Sequence, residues 1–254
     1  AISGITTLTV SGTTSLGANV TSSGNQTYSG AVTITGSAVT LNSNSSSSNG
    51  TVLFSNTVNS AANAANPLTV TTGSGNVTFT GIVGGATNGA LGALTINSSG
   101  TTTLSAAVTA ASVTTDSGGT TAINGGAITT TGAQTYNDAV TLGAATTLTS
   151  SSSGNINLAS TVNGAQALTI NTAGTTTFGG IVGGTTALTS ITTDAAGSVA
   201  INGGAITTTG AQTYNEGVTL GAVTTLSASS ITTGSTFNAS TYAATLTTDA
   251  ITLG

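Results

Sequence analysis

The sequence of 254 residues contains no Lys, Arg, His, Cys, Met or Trp and only one proline. Without Lys or Arg the chain cannot neutralise phosphates, which excludes nucleic acid and anionic lipid as electrostatic partners. Without cysteine it has no disulfides, thiolate metal sites or thiol redox chemistry. The usual general bases and nucleophiles, His, Cys and Lys, are missing as well. These absences predict a protein that is not an enzyme and uses no cofactor.

Negative charge is also scarce, because five carboxylates give the whole net charge of −5. A close pair of carboxylates can hydrolyse a glycosidic bond, and carboxylates with other oxygens can bind calcium. Asp116 and Asp194 are weak calcium candidates, but TTDSGGT and TTDAAGS supply one carboxylate each. Turn aspartates are therefore favoured, and no metal site is predicted.

Carboxylates at equivalent positions of the repeat described below are expected to lie far apart. Asp116 corresponds to Asp194, and Asp138 to Glu216. If the repeat units stack as successive coils, the members of each pair are about four coils apart, or roughly 19 Å at the usual strand spacing. Asp116 and Asp138 are about one coil apart, but their different contexts, TTDSGG and TYNDAV, argue against a shared corner.

Targeting and membrane signals are absent from the sequence. It has no initiator Met, no signal-peptide pattern and no apolar run long enough to span a bilayer as a helix. We expect a mature chain or a segment of a longer one, without membrane insertion.

The residues that are present favour strands and tight turns. The chain has 61 threonines and 36 glycines. Thr, Val and Ile favour pleated surfaces, whereas Gly, Asn and Ser favour turns. Apolar residues alternate with Thr, and no apolar stripe keeps the helical period of 3.6. The sequence therefore predicts an all-β fold.

A long internal repeat organises the chain. The segment AINGGAITTTGAQTYN, Ala122–Asn137, returns unchanged at Ala200–Asn215, an offset of 78 residues, within close copies at 122–148 and 200–226. We interpret the 78-residue super-repeat as four units of about 20 residues, each too small to bury a face unless it stacks on its neighbours. This predicts one continuous domain over residues 1–254, a parallel β-solenoid of about 13 coils and roughly 60 Å length.

Large side chains recur at equivalent positions of the units. Some end a Thr-rich strand and predict an inward core ladder: Phe54, Phe79, Leu104, Leu158 and Phe178. Three tyrosines also occupy equivalent positions: Tyr28, Tyr136 and Tyr214. Packing inside the core is the favoured role of these side chains, and carbohydrate stacking by exposed tyrosines is the alternative.

The strings TTGAQTYNDAVTLG, LTINTAGTTTFGGIVGG and TTDAAGSVAINGGAITTTG resemble the repeats of large bacterial surface exoproteins. These are the filamentous-haemagglutinin-like and autotransporter-type β-solenoid adhesins. The resemblance covers nearly the whole chain. It implies a right-handed parallel solenoid, secretion across an outer membrane, and a role in adhesion, biofilm or surface filaments.

Together these patterns favour an extracellular structural protein at a bacterial cell surface, a fibre or stalk. Its partner would be itself, as a head-to-tail or lateral homopolymer. The alternative is an adhesin segment that binds surface glycans through loops at Asn42–Gly50 and Ser60–Asn66. Ice binding by threonine ladders is a third hypothesis, weakened because the TTT and TxT motifs do not keep one coil position throughout.

Overall fold

The computed structural model describes residues 1–254 and contains 33 strands and no helix. Strands pair in parallel and stack coil upon coil. The predicted all-β parallel solenoid of about 13 coils of roughly 20 residues is confirmed. The chain divides into two compact units, Ala1–Gly125 and Gly126–Gly254, which we describe separately.

The first unit contains fifteen strands: β1 (Ile2–Ile5), β2 (Leu8–Val10), β3 (Thr14–Leu16), β4 (Val20–Ser22), β5 (Gln26–Tyr28), β6 (Val32–Ile34), β7 (Val39–Asn42), β8 (Val52–Phe54), β9 (Val58–Ser60), β10 (Leu68–Gly73), β11 (Val77–Phe79), β12 (Leu91–Ser98), β13 (Thr101–Leu104), β14 (Val108–Thr115) and β15 (Thr120–Ile123).

These strands form three parallel ladders, which the chain visits in turn as it passes from coil to coil. Ladder A joins β1, β4, β7, β10, β12 and β14. Ladder B joins β2, β5, β8, β11, β13 and β15. Ladder C joins β3, β6 and β9, and isolated bridges extend it through Val83 and Val108.

The second unit contains eighteen strands: β16 (Ala127–Thr130), β17 (Gln134–Tyr136), β18 (Ala139–Leu142), β19 (Thr146–Ser150), β20 (Ile156–Leu158), β21 (Val162–Asn163), β22 (Ala167–Thr172), β23 (Thr175–Phe178), β24 (Ser190–Thr193), β25 (Ser198–Ile201), β26 (Ala205–Thr207), β27 (Ala211–Tyr214), β28 (Gly217–Leu220), β29 (Thr224–Ser227), β30 (Ser230–Thr233), β31 (Phe237–Asn238), β32 (Ala244–Thr247) and β33 (Ala250–Leu253).

The second unit has three parallel ladders as well. Ladder D joins β17, β20, β23, β25, β28 and β31. Ladder E joins β18 to β21, continues through a bridge at Val182, and then joins β26, β29 and β32. Ladder F joins β16, β19, β22, β24, β27, β30 and β33.

Alternation within each short strand builds the core. In β10, Leu68 and Val70 are buried and the intervening Thr69 is half-buried. Side chains on a strand point alternately to opposite faces, so every second residue enters the interior of the coil. Parallel register then places like on like, since Leu68 pairs with Val39 on one side and Leu94 on the other.

The 78-residue repeat does not correspond to four whole coils. From β17 to β27, which hold equivalent sequence, the chain makes ten further named strands and one further step in ladder E, at the isolated bridge of Val182. Eleven steps around three ladders end one ladder away from the start, so β17 lies in ladder D and β27 in ladder F. The coil size of roughly 20 residues is confirmed. The interpretation of the 78-residue repeat as four such units was wrong, because eleven steps around three ladders are fewer than four full coils.

Glycines stack on glycines at one corner of the first unit, where the chain passes from ladder A to ladder B. A Cβ atom on Gly75 would overlap the carbonyl oxygens of Gly50 and Asn49, and one on Gly50 would overlap the backbone of Gly24. Neighbouring coils thus approach too closely at this corner for any side chain. The overlapping atoms belong to the backbone and cannot turn away as a side chain could.

We expect Gly75→Ala to destabilise the chain by about 1–3 kcal/mol, because a methyl group inserted into packed backbone forces the coils apart. Gly12→Ala is the matched control, since a Cβ there meets nothing within 4 Å. Urea unfolding measures both variants. Equal unfolding midpoints for the two variants would contradict the corner-stacking explanation.

Candidate functional site

The three repeat-equivalent tyrosines lie inside the coils and are completely buried. Tyr28 lies in β5, Tyr136 in β17 and Tyr214 in β27. Burial raises the pKa of each phenol above its ordinary value. The alternative of exposed tyrosines that stack on carbohydrate is therefore wrong, because no ring face reaches the surface.

Each of these tyrosines belongs to a buried polar cluster with the glutamine two residues before it. The Tyr214 hydroxyl donates to Gln212 Oε1 at 3.1 Å. Gln212 Nε2 donates to the carbonyl oxygens of Ile206, at 3.1 Å, and Ser227, at 3.0 Å. Both ends of the amide are thus satisfied inside an apolar core, as a buried polar group requires.

The same cluster occurs at the other two tyrosines. Tyr136 donates to Gln134 Oε1 at 2.9 Å, and Tyr28 donates to Gln26 Oε1 at 3.0 Å. In each cluster the glutamine Nε2 also donates to a carbonyl of the following coil, namely that of Thr149 or Asn42. The QTY motif therefore joins successive coils through side chains as well as through the ladders.

The five large residues assigned to the core ladder lie in two ladders. Phe54, Phe79 and Leu104 occupy one register position of ladder B, where the rings of Tyr28 and Phe54 stack at 5.2 Å and those of Phe54 and Phe79 at 4.7 Å. Leu158 and Phe178 pair in ladder D. All five are buried.

The two weak calcium candidates accept hydrogen bonds from the backbone. Asp116 Oδ1 accepts from the Ser98 amide at 2.8 Å, and Asp194 Oδ1 accepts from the Thr172 amide at 3.1 Å. Each aspartate therefore ties its corner to the preceding coil. No group of three or more His, Cys, Asp or Glu side chains is arranged to hold a metal ion.

Asp194 and Glu216 lie at the same corner of successive coils. Thr193 of β24 pairs with Tyr214 of β27; Asp194 follows Thr193 directly, and Glu216 follows Tyr214 after Asn215. Strand pairing therefore brings two carboxylates of different sequence context to one corner. The expectation of different corners was made for Asp116 and Asp138, and for that pair it stays a prediction.

The Glu216 carboxylate is buried and unsatisfied. Glu216 is 2 % exposed, and neither of its carboxylate oxygens has a hydrogen-bond partner. The Thr193 hydroxyl is also buried without a hydrogen-bond partner, and it lies near enough to the carboxylate to affect its pKa. Burial raises the pKa of Glu216 from 4.5 to about 7, the nearby Thr193 hydroxyl lowers it, and the charge of Asp194 raises it.

Sequence reasoning missed the burial of Glu216, although one signal was present. Tyr214, Glu216 and Val218 are spaced by two residues, and strand alternation sends such residues to one side. An inward tyrosine therefore implied an inward glutamate. Asn215 and Gly217 beside it are residues that usually mark turns, which conceals the alternation.

Threonines form a long ladder on the outer side of ladder F. One threonine from each of six successive coils stands in register: Thr147, Thr169, Thr192, Thr213, Thr232 and Thr252. Threonine therefore keeps one coil position over these six coils, although Ala127 occupies the same register position before Thr147. The 78-residue repeat hid the ladder because equivalent threonines of the two copies fall on different ladders.

Two loops extend from corners of the first unit. Residues 43–51 connect β7 to β8, and residues 61–67 connect β9 to β10. Non-glycine residues adopt positive φ in both, including Asn49 at 55° and Asn63 at 59°. Glycan binding through these loops stays a prediction.

We expect the stability of the protein to fall as pH rises from about 4.5 to about 7. In this window the native Glu216 carboxyl keeps its proton while the unfolded one loses it, so deprotonation favours unfolding. Above about pH 7 the native group is ionised as well and the loss levels off. Urea unfolding at a series of pH values in EDTA measures the effect.

Glu216→Gln keeps the shape but cannot ionise, so this variant should lack the fall. Asp249→Asn, an exposed carboxylate elsewhere, is the control and should keep it. Parallel pH profiles for the wild type and Glu216→Gln would show that Glu216 does not titrate as described.

Comparison with known proteins identified no relative. No protein-family model, no curated protein sequence and no solved structure matches the chain. None of the chain forms a helix with the length and apolarity needed to cross a membrane.

Proposed function

We propose that the protein is a non-enzymatic structural component of an extracellular fibre or stalk, built by stacking of coils within and between chains. The observation that carries this proposal is the set of parallel ladders in each unit. Every coil presents the same hydrogen-bonding edge to the next, so the fold is extended by adding coils. The resemblance to bacterial surface exoproteins supports a location outside the cell.

The last coil of the second unit exposes apolar residues that inner coils bury. Ile251 and Leu253 of β33 are 49 % and 54 % exposed, although they pair in register with Ile231 and Thr233 of β30, which are buried. Another coil placed on β33 would bury both side chains and satisfy the free backbone edge.

The first coil offers the complementary surface. Ile2 of β1 is 47 % exposed, whereas its register partner Val20 is buried. Head-to-tail stacking of a second copy would therefore join two parallel edges, each with an apolar interior. Charged side chains, which usually prevent such pairing, are nearly absent, and Asp249 is the carboxylate adjacent to β33.

We expect the purified chain to form filaments with a repeat of about 4.8 Å along their axis, visible by electron cryo-microscopy. The double variant Ile251→Lys, Leu253→Lys should remain dispersed, because it places charge on the joining surface. Val223→Lys is the control, since Val223 is 66 % exposed but lies away from β33, before β29.

Dispersed wild-type particles at all concentrations would contradict assembly between chains. Filaments that persist in the double variant would contradict head-to-tail joining and point to lateral contacts instead.

The threonine ladder of ladder F favours ice binding as a second candidate function. Its six members recur at the strand spacing of about 4.8 Å, which is close to the repeat of oxygen atoms on ice surfaces. Small residues flank the ladder two positions upstream, including Ala167, Ser190 and Ala211. Such a face presents methyl and hydroxyl groups in one regular array.

If this face binds ice, the wild type should show thermal hysteresis, and Thr192→Lys should reduce it by more than half. Thr219→Lys is the matched control, because Thr219 is equally exposed but lies in ladder D. Absence of hysteresis in the wild type, or equal loss in both variants, would contradict the hypothesis.

A further inference from the structure

The corner that holds Asp194 and Glu216 carries negative charge for which the chain has no counter-charge. The sequence contains no Lys, Arg or His. A buried carboxylate is normally paired with a cation, neutralised by a proton or bound to a metal ion. At this corner pairing with a cationic side chain is impossible, so only a proton or a solvent cation remains.

The oxygen atoms at this corner are free to bind. Both carboxylate oxygens of Glu216 and the hydroxyl of Thr193 are buried without hydrogen-bond partners. Asp194 uses Oδ1 to accept the Thr172 amide hydrogen, which leaves Oδ2 as a further oxygen. In folded proteins such unsatisfied buried groups commonly mark a water molecule or an ion.

We propose that Glu216, Asp194 and the Thr193 hydroxyl form a binding site for a calcium ion at this corner of the second unit. All the donors are oxygen atoms, and two of the residues carry negative charge, which is the ligand chemistry that Ca²⁺ prefers. Backbone carbonyls and water complete the shell in many calcium sites. A bound water would satisfy hydrogen bonds but would not compensate the charge.

The residues of the proposed site differ in exposure. Asp194 is half-buried, whereas Glu216 and Thr193 lie inside the coil. Asp194 is therefore the ligand that solvent reaches. Ca²⁺ tolerates irregular geometry, whereas Mg²⁺ requires a near-ideal octahedron and dehydrates reluctantly. We therefore expect the site to prefer Ca²⁺ over Mg²⁺.

The two copies of the repeat differ at this corner. Glu216 replaces Asp138, which is also buried but is not without an interaction partner. The glutamate adds one methylene group, and the next residue changes from Ala139 to Gly217. The longer side chain leaves its carboxylate unsatisfied next to Thr193.

Isothermal titration calorimetry of the full chain with CaCl₂ at pH 8 tests the proposal. We expect one ion per chain with a Kd of about 10⁻⁴–10⁻³ M, the range of extracellular calcium modules. Glu216→Gln should weaken binding at least tenfold. Asp194→Asn should also weaken it, although its amide oxygen can still accept the Thr172 hydrogen bond.

Asp249→Asn is the control, because it removes one charge away from this corner and should bind as the wild type does. Calcium should raise the thermal unfolding midpoint of the wild type and of Asp249→Asn, and MgCl₂ should act at least tenfold more weakly. The thermal unfolding midpoint also shows whether Glu216→Gln is folded. We expect this variant to fold, because the substitution removes a buried charge.

Three results would overturn the proposal. The first is no binding to the wild type up to about 10 mM calcium, well above the expected Kd. The second is unchanged affinity in Glu216→Gln. The third is an equal loss in all three variants, which would show that calcium responds only to the net charge.

Discussion

In-register parallel stacking constrains every strand of this protein. A side chain that points inward meets the equivalent side chains of the coils above and below, about 4.8 Å away. Like residues satisfy this constraint best, so aromatic rings stack on aromatic rings, branched aliphatic side chains on each other, and glycines on glycines at tight corners. This explains why the sequence uses few residue types. Charged side chains are rare because copies of the same charge would repel one another when stacked.

Polar residues enter this core only where they carry their own partners. The glutamine of each QTY motif satisfies both ends of its amide, one through the neighbouring tyrosine and the other through carbonyls of adjacent strands. Glu216 departs from this rule, because it is buried with no partner among the side chains. The same stacking places Asp194 and Glu216 at one corner of successive coils, and this is the corner that we propose as a cation site.

Much of the fold followed from local sequence, and the arrangement of sites did not. Alternation of Thr with Leu, Ile and Val predicts strands, and short units with glycine corners predict a solenoid, because both depend on neighbouring residues alone. Which strands stack depends on the length of every intervening corner. Val182, for example, lies in no strand but still occupies one position in ladder E, so it has to be included when ladder positions are counted along the chain. Sequence equivalence was therefore a poor guide to spatial equivalence for Tyr136 and Tyr214.

The eleven-step repeat has a consequence for how such a chain changes length. Recombination between two identical stretches of a gene deletes or duplicates the segment between them. In this protein that segment holds eleven strand positions, while a coil holds three. Each event would shift every later strand to a neighbouring ladder, because eleven positions are one short of four full coils. Three duplications, or three deletions, would return each later strand to its original ladder. Copy number in this sequence thus sets the direction in which downstream features point as well as their distance.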